Sequence, residues 1–255
     1  MDAIEVEEVG SLDVDDPVFV EGLPGVGHVG KLVAEHLVDE FDAELVRRIY
    51  SHHFPPQCTV DEDGRTELVS LEVYVCEADG RDVVIVTGDH QSQTIDGHYA
   101  IAEGLLDIAE ATGAAAIYTL GGIATGELVE DYGVVGAAND DGLLQELDGY
   151  GVGFGDGEPE GGIIGVSGLL LGLGERRGLS GACLMGETSG YMVDPKSAQA
   201  VLEVLMEAVG FDVGMQELED RAEEMEEVVK RLEDMSGEPE GMPRFAGDED
   251  LRYIG

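Results

Sequence analysis

The chain has 255 residues, 43% of them hydrophobic, and a formal net charge of −43 from 56 acidic against 13 basic side chains. That length allows one large domain or two small ones, with room for a substantial core. The charge argues against a nucleic-acid partner, which needs a basic face, and against an anionic membrane surface.

Residues 1–16 form an N-terminal extension. Its start, "MDAIEVEEVG", has neither a basic leader nor an apolar signal core, and no run in the chain is long enough to span a bilayer. The sequence reads as soluble and cytoplasmic. The acid suits solvation in concentrated salt, where the Debye length falls to about 3 Å at 1 M and carboxylate repulsion is screened. The charge therefore describes a halophilic habitat more than a function.

An α/β domain is expected over 17–212. "PVFVEGL" (17–23) is a short strand, "VGKLVAEHLVDEF" has helical spacing, and "AELVRRIYS" (43–51) is a second strand. Together they predict a β–turn–α–β opening with glycines at the turn. Asp63-Gly64 and Asp79-Gly80 then signal two hairpins of type I′, flanked by β-branched runs. An antiparallel meander is thus inserted into the α/β chain.

A helix follows through "GHYAIAEGLLDIAEATG", then a buried strand in "AAAIYTLGG" (114–122) and a short strand in "VVGAAND" (134–140). "DDGLLQEL" is a short helix capped by Asp140 or Asp141. After a glycine-rich loop, "GIIGVSGLLLGLGERRG" is a helix of small and aliphatic residues. "LSGACLMGE" (179–187) is a strand, and 194–210 a helix with Asp194 as N-cap and Pro195 in its first turn.

Composition shifts after that. Residues 213–236 form an acidic helix in which Met215, Leu218, Ala222, Met225, Val229 and Leu232 repeat at 3-4-3-4-3. Such a seam lies either on its own domain or against a second subunit. Residues 237–255 read as a mobile Gly/Pro/acid-rich tail ending in "LRYIG", an apolar-aromatic tip suited to docking.

"GLPGVGHVGKL" (22–32) overlaps two nucleotide motifs. As a P-loop it lacks the hydroxyl after Lys31 that holds magnesium, because Leu32 stands there. As a dinucleotide fingerprint, Gly25, Gly27 and Gly30 have the right spacing. The second strand, however, ends in "IYSHHFPP", without the ribose-binding acid. The simpler reading is a tight turn that lets a helix approach the sheet.

Cys58, Cys76 and Cys183 form no C-x-x-C pair and read as small buried hydrophobes. His52, His53, His90 and His98 match no metal-ligand pattern, so no metal is expected. Ser167 in "GVSGLLLG" misses the nucleophile-elbow spacing. Asp89, Gln91, Gly121, Gly122 and Glu187 all fall at predicted strand ends, where α/β sheets place ligands. They and the Gly25–Gly30 loop are the candidate ligand loops. No nucleophile–base pair is identifiable, and no cofactor is called for.

The ordered blocks "VFVEGLPGVGHVGK", "GDHQSQ", "TLGG", "SGLLLGLGERRGLSGACLMGETSGYMVDP" and "SAQAVLEVL" resemble the archaeal proteasome assembly chaperone family, also labelled a predicted ATP-grasp superfamily. The likeness runs from Pro17 to about Gly210. It implies a mixed, mainly parallel α/β sheet with flanking helices, nucleoside-phosphorylase-like, in a homo-oligomer without established catalytic residues. It also implies proteasome α-subunits or the core particle as partners. In the family a hydrophobic–Tyr–any terminus docks between α-subunits. Here Arg252 precedes Tyr253, and Ile254 and Gly255 follow. The resemblance therefore points to Leu251, Tyr253, Ile254 and Gly255 as partner contacts in a shifted register. The alternative reading is a nucleotide- or nucleoside-binding protein or enzyme using the glycine-rich loops.

Overall fold

A computed structural model describes residues 3–61, 63–154 and 162–225. The chain runs β1 (Ile4–Glu8), β2 (Val18–Glu21), α1 (Val29–Glu40), β3 (Glu44–Ser51), β4 (Cys58–Val60) and β5 (Thr66–Leu68). It continues through β6 (Leu71–Ala78), β7 (Arg81–Gly88), α2 (Ile95–Thr112), β8 (Ala116–Ala124), β9 (Val134–Ala138) and α3 (Asp141–Gly149). The remaining elements are α4 (Gly165–Arg177), β10 (Gly181–Thr188), α5 (Pro195–Val209) and a helical segment, α6, over 216–225.

Eight strands form one mixed sheet in the order β1-β3-β6-β7-β2-β8-β10-β9. The central pairings β7–β2, β2–β8 and β8–β10 are parallel. The outer pairings are antiparallel. The central strands are buried on both faces, as their apolar runs require: all four residues of β2 are buried. Val18, Val20, Leu120 and Leu184 face α1 and α5, whereas Phe19, Val84 and Ile117 face α2 and α4.

The expected β–α–β opening forms, but β3 does not lie beside β2. The β6–β7 hairpin separates them. Val83–Val86 of β7 are buried and take the place next to β2, while β3, with half-buried Arg47 and Arg48, stands nearer the edge. Asp79 (φ 50°) and Gly80 (φ 82°) make the type I′ geometry that closes this hairpin. The other hairpin, β4–β5, is a separate exposed pair with a longer connection, in which Gly64 takes a positive φ of 79°. Cys58 lies in it and is exposed, unlike buried Cys183. β1, from the N-terminal extension, adds an edge strand along β3.

α1 approaches the sheet at glycines. A Cβ on Gly30 would stand 2.1 Å from the Leu120 carbonyl oxygen, and one on Gly22 2.2 Å from the Gly30 oxygen. α2 is capped by Thr94 and α5 by Asp194, whose carboxylate accepts from the Ser197 N–H at 3.1 Å.

The described part of the acidic helix lies on its own domain. Leu218 and Ala222 are buried, and Leu218 shares a core with Phe211 and α5. Phe211 meets Phe41 edge-on at 5.5 Å, and the His36 imidazole bonds the Gly214 carbonyl at 2.6 Å. Val229 and Leu232 of the predicted seam lie outside the described residues.

Two stability tests follow from this packing. Gly30→Ala forces α1 off β8 and is expected to cost about 2 kcal/mol or more, whereas Gly25→Ala, with open space around it, is expected to cost under about 1 kcal/mol. Leu218→Ala is expected to cost about 2–4 kcal/mol if α6 is part of the core. Urea unfolding midpoints of the three variants measure both effects.

Candidate functional site

The loops at the carboxyl ends of β2, β7, β8 and β10 gather at one end of the sheet. The structure brings Gly25, Gly27, Gly30, Asp89, Gln91, Gly121, Gly122 and Glu187 to this end, but not into one pocket. The glycine turn is filled by protein. A Cβ on Gly27 (φ 63°) would stand 3.0 Å from the Thr188 hydroxyl, and one on Gly122 2.3 Å from the Val26 carbonyl oxygen. Thr188 in turn donates to Asp194 at 2.6 Å. Among these glycines, Gly25 has open space around it.

Asp89 accepts from Lys31 Nζ at 2.6 Å, and this bond holds its carboxyl below the ordinary range. Lys31 also meets Glu35 at 3.2 Å. The lysine of the P-loop-like sequence is thus engaged by two carboxylates. Gln91 donates to the Pro24 carbonyl and so ties the β7–α2 loop to the glycine turn. Glu187 sits on the other flank, where its backbone N–H donates to the Gly133 carbonyl at 2.9 Å. Tail residues Leu251, Tyr253, Ile254 and Gly255 lie outside the described residues.

Beside the glycine turn a cavity of about 410 Å³ opens between α1, the β4–β5 hairpin and the β6–β7 sheet surface. Glu35, Asp39, Glu67, Glu72 and Asp89 line it, with Arg221 from α6. That lining repels an anionic ligand such as a nucleotide phosphate.

The sequence reading missed the most unusual group at this end. Glu21, the last residue of β2, is wholly buried. It faces α2 and α4 in register with Thr119 of β8, which is in register with Cys183 of β10. Burial pushes its carboxyl up from 4.5 to about 7, against the pull of the nearby Ser167 hydroxyl and Leu23 N–H. Neither carboxyl oxygen makes a hydrogen bond of sound geometry, nor does the Thr119 hydroxyl. Burial also drives the Cys183 thiol up to about 12, which leaves it an unreactive thiol. The one sequence signal was an acid at the end of the apolar run "VFVE".

Among the described residues, no group of three or more His, Cys, Asp or Glu is arranged to hold a metal, and no helix is long and apolar enough to cross a membrane.

This architecture is that of archaeal proteasome-associated α/β proteins. The chain matches Pyrococcus furiosus PbaB, an archaeal proteasome activator, with a TM-score of 0.85 and 36% identity, over 91% of this chain and 100% of that one. It matches P. furiosus PbaA, an archaeal homolog of proteasome-assembly chaperone, with a TM-score of 0.74 and 29% identity, over 90% and 96%. The uncharacterized protein MJ1210 of Methanocaldococcus jannaschii is 39% identical over 95% of this chain and 93% of its own length. The PAC2 family profile matches residues 19–233, and the chain belongs to the PAC2 family.

The raised Glu21 carboxyl sets a pH dependence. The folded state keeps the proton up to about 7, while the unfolded chain loses it above 4.5, so stability falls as pH rises through that window and levels off above it. The loss is about 3 kcal/mol. Denaturation curves across that range, in choline chloride to keep small cations away from the carboxyl, should show this fall. The difference between wild type and Glu21→Gln, which cancels the other carboxylates, should carry it.

Proposed function

We propose that the chain is a non-enzymatic, homo-oligomeric assembly chaperone of the cytoplasm that binds proteasome α-subunits or the core particle. The observation that carries this reading is the likeness to PbaB and PbaA over nine-tenths of the chain, with whole-fold TM-scores of 0.85 and 0.74. The site chemistry is compatible with it. The glycine turn is packed against protein, Lys31 is held by carboxylates, and the cavity beside them is acidic.

In this reading the protein covers α-subunit surfaces transiently and guides their order of assembly without covalent chemistry. The terminal Leu251, Tyr253, Ile254 and Gly255 are the segment we assign to partner contact, with two aliphatic side chains and an aromatic ring as the anchor.

The test is co-purification of the full-length protein with α-subunits from the same source, in molar KCl. Retention of α-subunits is expected, with at least about a tenfold loss of affinity, roughly 1.4 kcal/mol, on deleting residues 251–255. No retention by the full-length protein overturns the partner. Retention unaffected by the deletion overturns the role of the tail and leaves the partner standing.

A further inference from the structure

Glu21 is anomalous even for a buried acid. An ionised carboxylate without hydrogen bonds in a protein interior costs several kcal/mol, so buried charges are paired, neutralised or coordinated to an ion. Glu21 has no exposure, and neither of its oxygens makes a hydrogen bond of sound geometry. Thr119, directly across the β2–β8 pairing, is equally buried, and its hydroxyl makes no hydrogen bond of sound geometry beyond the weak pull of the neighbouring Cys183 thiol. The Ser167 hydroxyl, from the first turn of α4, reaches the same carboxyl. Three elements thus bring oxygen atoms to one buried point, where the two Glu21 oxygens and the Thr119 hydroxyl make no hydrogen bond of sound geometry.

We propose that Glu21, Thr119 and Ser167 form a buried site for a monovalent inorganic cation, sodium or potassium. The donors are carboxylate and hydroxyl oxygens, the hard ligands that alkali and alkaline-earth ions take. The charge count selects the monovalent class. One carboxylate balances one positive charge, whereas a divalent ion would leave a buried net charge.

A proton is the competing way to neutralise Glu21; it needs no metal cation and would stabilise the fold equally in choline chloride. Affinity can be low. A medium of concentrated salt, as the net charge of −43 suggests, fills even a weak site by mass action.

The full-length protein is tested by thermal unfolding at mildly alkaline pH in KCl, NaCl and choline chloride of equal ionic strength. The midpoint in KCl or NaCl is expected to exceed that in choline chloride by on the order of 5 °C. That excess is expected to shrink to about 1 °C in Glu21→Gln and to fall in Thr119→Val. Equal midpoints in the three salts overturn the site. An excess that survives undiminished in both variants also overturns it, because uptake by the acidic surface then explains the effect. Wild-type crystals soaked in a thallium(I) salt give a readout free of variant folding. An anomalous peak between the Glu21 and Thr119 oxygens supports the site, and its absence there overturns it.

Discussion

The close approach of α1 to the sheet is the constraint on which the rest of the structure hangs. At Gly22 and Gly30 the helix backbone lies against the end of β2 and the Leu120 carbonyl of β8, with no space for a Cβ. That contact fixes where α1 begins. It puts Lys31 within reach of Asp89 and Glu35, and it sets the height at which α5 packs beside α1. α6 depends on the same helix: His36 of α1 holds the Gly214 carbonyl, and Phe41, just past α1, receives Phe211. A nucleotide-binding turn needs its glycines to admit a phosphate. Here the space beside Gly27, Gly30 and Gly122 is already occupied by protein atoms, so glycine serves packing.

The same crowding explains why an acid at position 21 is so fully desolvated. β2 is four residues long and flanked by parallel strands on both sides, with helices over each face. Its last residue would reach solvent if the turn after it were open. Instead Gly22 leads straight back under α1, and α4 covers the other face with Ser167 near the carboxyl. The turn geometry and the buried acid are therefore coupled, because loosening one hydrates the other.

Much of the fold was legible in the sequence, for reasons that differ by element. The α/β class, the Asp194 cap on α5 and the Asp79-Gly80 turn were readable because each depends on a few neighbouring residues. Strand order was not, because β7 displaces β3 from the side of β2 through relative burial, a property of the assembled sheet. The seam of the acidic helix had two outcomes by periodicity alone; Leu218 and Ala222 face their own core because Phe211 and α5 offer them apolar surface. At the candidate site the loops were legible as strand ends from the apolar runs before them, whereas Glu21 was hidden. A single acid in an apolar run looks like any exposed strand residue until β8 and α4 enclose it.

Acidity bears on how such a protein can associate at all. In dilute salt a net charge of −43 repels any acidic partner, including a second copy. In about 1 M salt the Debye length is about 3 Å, so that repulsion reaches little further than contact. Hydrophobic burial does not depend on long-range fields and persists under those conditions. Association then rests on shape and short apolar contacts instead of electrostatic steering. Leu251, Tyr253 and Ile254 fall within five residues of one another, a concentration of apolar surface that salt does not weaken. An acidic surface and apolar association are thus compatible through salt, and any such association should weaken as salt is withdrawn.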